Sequence, residues 1–255
     1  SRIRFSGAVH ELVEASMAEA KMKIAVCDVP VHHTGKLDRA RVTEKGERYF
    51  ELGMKKIEET GGTPRSVLEL AVQAGELGRW DDAVDLWRRF LRGKPGHEVN
   101  RAYVNLINAC LNADRFDEAL AEARKAETLA NGTRELALNC AAAEFFAGDL
   151  RKAASMAQRL LQKHTDYPPA LGLLAMSLCL TGQEERSLAC MQRLQQQGLD
   201  TRSQLLPAVA KLRAAGKDEQ ADRLQDLIER HYPGEKGCSG PAYGPRQGDS
   251  PPPLA

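Results

Sequence analysis

The chain has 255 residues, 42% hydrophobic and 28% charged, with a formal net charge of +1. That balance is the profile of an ordinary globular chain and argues against a nucleic-acid binder, which needs a basic face or tail. No apolar run reaches the roughly 18 residues that span a bilayer, and the opening SRIRF has no signal-peptide pattern. Six cysteines (27, 110, 140, 179, 190 and 238) contain no CxxC pair. They read as small buried hydrophobes in a reducing compartment, so a cytoplasmic protein without disulfides is expected.

Residues 1–40 do not repeat. The stretches RIRFSG (2–7) and MKIAVCDVPVHH (22–33) read as strands, apolar and β-branched, around a loop with a short helix in AVHELVEASMAEA (8–20). So small a piece buries too little apolar surface to fold alone. It is expected to be the tail end of a larger domain, in keeping with a start that lacks Met. Residues 41–62 follow as a linking segment. Its charged helix, at about 43–60, places Phe50, Met54 and Ile57 on one face. It is predicted to dock the next region to the preceding domain and to cap it.

From residue 63 the chain repeats. GRWDDAVDLWRRFLRGKP is followed by four stretches of the same pattern, and their small residues fall at Ala83, Ala119, Ala153, Ser187 and Ala221, steps of 36, 34, 34 and 34. Gly78, Gly148, Gly182 and Gly216 keep the same register, with Asp114 substituting once. Each unit reads as an apolar helix, a turn at that glycine and a second amphipathic helix. In the first unit these are TPRSVLELAVQAGEL and WDDAVDLWRRFLRG. Two helices approach closely only where side chains are small, so Ala71 and Ala83 are predicted to mark their crossing. Trp80 and Phe116 are expected to wedge against the preceding helix, and Pro95 and Pro233 to stop their units.

This pattern resembles the tetratricopeptide repeat, with five units over residues 63–233. The aromatic position becomes Leu150, Glu184 and Asp218 in the later units. The resemblance implies a mainly α fold, a superhelix of helical hairpins whose concave groove is lined by the first helices and takes a protein or peptide. Arg101, Asn105, Asn108 and Asn112 share one helix face, and Asn139 lies 34 residues after Asn105. Side-chain amides suit an extended peptide backbone. The arrangement is similar to the asparagine ladder of the nucleocytoplasmic O-linked N-acetylglucosamine transferases, although Glu69, Leu173 and Pro207 stand at the other equivalent positions. A solvated polar face has the same pattern. The chaperone-type carboxylate clamp is not matched, and Phe145, Phe146, Met176 and Leu180 read as core. The Pro-, Gly- and Ser-rich tail, 234–255, reads as disordered.

Two N-terminal stretches, FSGAVHELV (5–13) and VPVHHTG (29–35), resemble the closing segment of bacterial inverting family-2 glycosyltransferases, a subset of which carries such repeats after the catalytic domain. Phe5, Gly7, His10 and Glu11 match its aromatic-x-Gly-x-x-His-Glu stretch, while Thr34 departs from the usual His-aromatic-Gly turn. The resemblance implies that residues 1–40 are an α/β remnant of a GT-A domain. It gives Glu11 the role of catalytic base, with His10 orienting it or contacting the acceptor. It makes His33 the metal ligand, or His32 in its place, for a divalent Mg or Mn in the complete enzyme. The chain has no Asp-x-Asp and no nucleotide-binding half, so alone it is expected neither to bind a nucleotide sugar nor to turn over. Two readings result: the C-terminal segment of a glycosyltransferase whose repeats bind a protein or peptide acceptor or partner, or a non-enzymatic repeat scaffold for protein–protein interaction.

Overall fold

A computed structural model describes residues 14–22, 39–93, 96–129 and 132–232. Its helices are α1 (Glu14–Glu19), α2 (Arg39–Thr60), α3 (Pro64–Glu76), α4 (Trp80–Arg92), α5 (Val99–Asn112) and α6 (Phe116–Ala126). They continue as α7 (Arg134–Ala147), α8 (Leu150–Lys163), α9 (Pro168–Leu180), α10 (Glu184–Gln196), α11 (Thr201–Ala214) and α12 (Asp218–His231). Among the described residues there is no strand, so the mainly α fold stands while the expected α/β remnant has no support from the described part of residues 1–40, which holds the short helix α1 and the start of α2. The stretch 2–7, all of 22–33 except Met22, and the tail 234–255 lie outside the described residues.

The second helices of the five repeats begin at Trp80, Phe116, Leu150, Glu184 and Asp218, in the register that the small residues set. The turn before each holds a residue at positive φ: 72° at Gly78, 56° at Asp114, 111° at Gly148, 84° at Gly182 and 69° at Gly216. Asp114 fills the left-handed position without being glycine, a conformation that short polar side chains tolerate. The chain divides into two compact units, 1–113 and 114–255, the boundary falling in the turn between α5 and α6.

In the first unit, α3 opens with a capping box. Thr63 Oγ1 accepts from the Ser66 amide at 3.1 Å, and Ser66 Oγ accepts from the Thr63 amide at 2.8 Å. Pro64 takes the first helical position, where no amide donor is needed. α3 and α4 pack as a hairpin, and α4 packs on α5. Ala71 and Ala83 are fully buried, as a close crossing requires, and Trp87 and Phe90 of α4 are buried with them in the core of the unit. Trp80 lies against the end of α3, its ring 3.8 Å from where a Cβ on Gly75 would stand.

α2 packs on α3 and buries Phe50 and Ile57. Two glycines one heptad apart permit the approach: a Cβ on Gly53 would lie 2.7 Å from Leu70 Cδ1, and one on Gly46 2.9 Å from Leu77 Cδ2. Gln73 Nε2 donates to Gly46 O at 3.0 Å. Arg79 stacks over the Phe50 ring at 4.3 Å and reaches Asp82 at 2.7 Å and Glu47 at 3.1 Å. Its hydrogen bond to Asp82 is the chief reason its pKa rises above the ordinary value. Gly53→Val is expected to hold α2 off α3 and to lower stability by about 1–3 kcal/mol, the range for overpacking. Urea unfolding reads the loss, and a variant as stable as the parent would show that this seam is not tight.

In the second unit α6 packs on α7, α7 on α8, α8 on α9 and α9 on α10. Phe116 stacks on Phe146 with centroids 5.1 Å apart, so this aromatic wedges against the following first helix, α7. Phe145, Phe146, Met176 and Leu180 are buried, as their core reading requires. Ser187 occupies the small-residue position of the fourth repeat and hides its hydroxyl by donating to Ala175 O at 2.7 Å. The stacking then changes. α12 packs on α9, and α11 meets α9 and α10 only lightly.

Cys110, Cys140, Cys179 and Cys190 are buried thiols. Burial pushes Cys140 up to about 12 and Cys179 to about 11, far from a reactive thiolate. Among the described residues no helix is long and apolar enough to cross a membrane.

Candidate functional site

α3 carries two stripes. Val67, Leu70, Ala71 and Ala74, spaced i, i+3, i+4, i+7, face the core. Arg65, Leu68, Glu69, Val72 and Glu76 form a second stripe, which lines an open cleft of about 680 Å³. Tyr49, Gly53 and Lys56 of α2 and Arg101 of α5 complete its walls. Leu68 and Val72 are half-buried, so the centre of the stripe is apolar and its ends are charged.

The charges are lightly committed. Arg65 Nε lies 2.9 Å from Glu69 Oε1, and Arg101 Nη1 lies 3.5 Å from Glu98 Oε2. Both arginines are well exposed, and such surface pairs hold their partners by only about 0–1 kcal/mol. A carboxylate entering the cleft can therefore recruit either guanidinium. The Lys45 ammonium lies 5.2 Å over the ring of Tyr49 and fixes that wall. Among the described residues no group of three or more His, Cys, Asp or Glu is placed to hold a metal. What the cleft offers is an apolar centre between separated cationic and anionic groups, which suits an extended segment carrying an apolar side chain and a carboxylate.

Arg101 is the one member of the expected α5 face that lines this cleft. Asn105 Nδ2 donates to Arg101 O at 2.8 Å, and Asn112 Nδ2 to Asn108 O at 3.0 Å and Asn108 Oδ1 at 3.2 Å. Both amides thus bond back along their own helix one turn earlier. Asn108 is exposed, and Asn139 sits half-buried on α7 in the other unit. His10, Glu11, His32 and His33 lie outside the described residues. Sequence reasoning missed the α2–α3 wall, yet a signal was present. Leu68 and Val72 are apolar residues one turn apart that fall off the core stripe of α3.

No protein-family model matches the chain, and no curated protein matches it in sequence. Solved structures do match in fold. One is a tetratricopeptide repeat protein from Parabacteroides merdae, 13% identical, covering 86% of this chain and 84% of its own, with a TM-score of 0.53. The type IV pilus biogenesis factor PilW is 19% identical over 79% of this chain and 93% of its own, with a TM-score of 0.52. MamA (41-end) from Desulfovibrio magneticus RS-1 is 13% identical over 66% of this chain and 96% of its own, also with a TM-score of 0.52. At these identities the likeness shows the fold, which is that of tetratricopeptide repeats.

Proposed function

We propose that the chain is a non-enzymatic repeat scaffold that binds a peptide segment of a protein partner in the cleft between α2, α3 and α5. The observation that carries this reading is the half-buried pair Leu68 and Val72, left facing solvent between Arg65, Lys56 and Arg101. An apolar partner side chain covers the pair, and Arg101 and Lys56 take a neighbouring carboxylate. Asn105, Asn108 and Asn112 extend the contact along α5, and Asn139, on α7 of the second unit, is a separate partner-binding candidate there. The fold supports the reading in general terms, since repeats of this kind make extended binding surfaces. The glycosyltransferase reading, with its nucleotide sugar, its divalent metal and the roles of His10, Glu11, His32 and His33, rests on stretches outside the described residues. No comparison supports it.

The test is selection of a random peptide library on the immobilised chain. Enriched peptides are expected to pair an apolar residue with an acidic residue or a free C-terminal carboxylate. Arg101→Ala is expected to weaken them about tenfold, the scale of one charge-assisted hydrogen bond, and Leu68→Asp to abolish binding. Peptides that bind both variants like the parent would place recognition elsewhere.

A further inference from the structure

α9 is apolar on every side. Pro168–Leu180 holds no charged residue, and each position from Ala170 to Leu180 is buried. A helix of that kind needs cover all round. α7, α8 and α10 supply part of it. The rest comes from the last hairpin, α12 packing on α9 where a regular stack would rest α11 on α10. Leu205 of α11 also reaches it, 3.6 Å from where a Cβ on Gly172 would stand.

The charged contacts between this hairpin and its neighbours place the cation on the hairpin. Lys217 Nζ donates to the carbonyl of Phe146 near the end of α7. Lys211 Nζ lies 3.9 Å from Asp114 Oδ1, and Arg230 Nη1 3.0 Å from Glu184 Oε1. Arg223 Nη2 stands 3.5 Å from the Cβ position of Gly182, in the turn that closes α9. Every cation belongs to the hairpin. The acceptors of Lys217, Lys211 and Arg230 are a carbonyl near a helix C-terminus, where the dipole is negative, and two carboxylates, while Cys179 Sγ of α9 donates weakly to Arg223 O at 3.9 Å. Burial pushes the Lys211 and Lys217 ammonium groups below the ordinary lysine value, with Asp114 and Asp117 respectively pulling them back. The joint that tethers the hairpin turns at Gly198, φ 74°, with nothing within 4 Å of its Cβ position.

We propose that α9 carries an apolar helix-docking face, occupied in cis by the chain's own α11–α12 hairpin as a releasable cap. The occupant's chemistry is that of α11 and α12: an amphipathic hairpin, basic on α11 and acidic on α12, with Leu205, Val209 and Leu212 buried on one helix and Leu224, Leu227 and Ile228 on the other. This inference concerns the second unit and stands independently of the cleft in the first.

The experiment is hydrogen exchange on the full chain, comparing the parent with Lys217→Glu combined with Arg230→Glu. The variant is expected to exchange at least about tenfold faster in α9 and in α11–α12, with α7 and α8 unchanged, the mark of a separately opening unit. A labelled peptide of residues 200–232, added in trans, is expected to bind the variant and not the parent. Pairing Arg230→Glu with Glu184→Arg is expected to restore protection. Dimers formed through exchanged hairpins at high concentration also support the cap. Protection of α9 equal to the parent's would overturn the proposal. So would loss of protection in α7, α8 and α9 together, because the hairpin would then belong to one cooperative core.

Discussion

Trp87→Ala is expected to lower the stability of the first unit by about 3–5 kcal/mol, the cost of truncating a large buried aromatic. The ring is 2% exposed and meets Phe90 edge-on at 6.0 Å. It stands on α4, which packs against both α3 and α5, so the cavity opens at the centre of the unit and not at a rim that can collapse. Native stability is only about 5–15 kcal/mol, so such a loss takes a large share of it. Urea unfolding followed by circular dichroism gives the number, with Trp80 left as an independent fluorescent reporter. A loss below about 1 kcal/mol, as for an ordinary surface change, would mean that α4 does not pack as described.

Lys152→Ala is expected to cost about 2–4 kcal/mol, because it orphans a buried carboxylate. The Glu144 side chain is 4% exposed, and Lys152 Nζ meets its Oε1 at 2.5 Å. Lys152 itself is 39% exposed, so the ion pair is screened. The cost therefore comes from the charge left behind more than from the attraction lost. Glu144→Leu with Lys152→Met removes both charges, and it is expected to lie within about 1 kcal/mol of the parent. If the single and double variants were equally destabilised, packing and not charge would be the cause. The pH dependence has a definite sign. The hydrogen bond to Glu144 is the chief cause that raises the Lys152 pKa. Its contribution is fully present below the ordinary lysine pKa and is lost as pH rises through the raised one.

The repeat was legible because it rests on short-range sterics. Small residues at Ala83, Ala119, Ala153, Ser187 and Ala221, and turn residues at positive φ, fix helix–turn–helix units at a constant spacing. Met176 and Leu180 read as core, but the apolar sequence of α9 does not say what covers it. That depends on α12 choosing α9 where the repeat pattern offers α11 a place on α10, a tertiary preference that no local signal carries. The candidate cleft was only partly legible for a related reason. Four polar side chains on one face of α5 drew attention, yet the Asn105 and Asn112 amides bond back along their own helix. The less conspicuous pair Leu68 and Val72 lines the cleft. The histidines and Glu11 of the N-terminal stretches belong to a part of the chain outside the described residues.

The most direct test of the scaffold reading is a nuclear magnetic resonance titration of the isotope-labelled chain with one selected peptide. Shifts are predicted to cluster on Tyr49, Leu68, Val72 and Arg101, with α12 unaffected. Shifts centred on α7 to α12, or none at saturating peptide, would contradict the account.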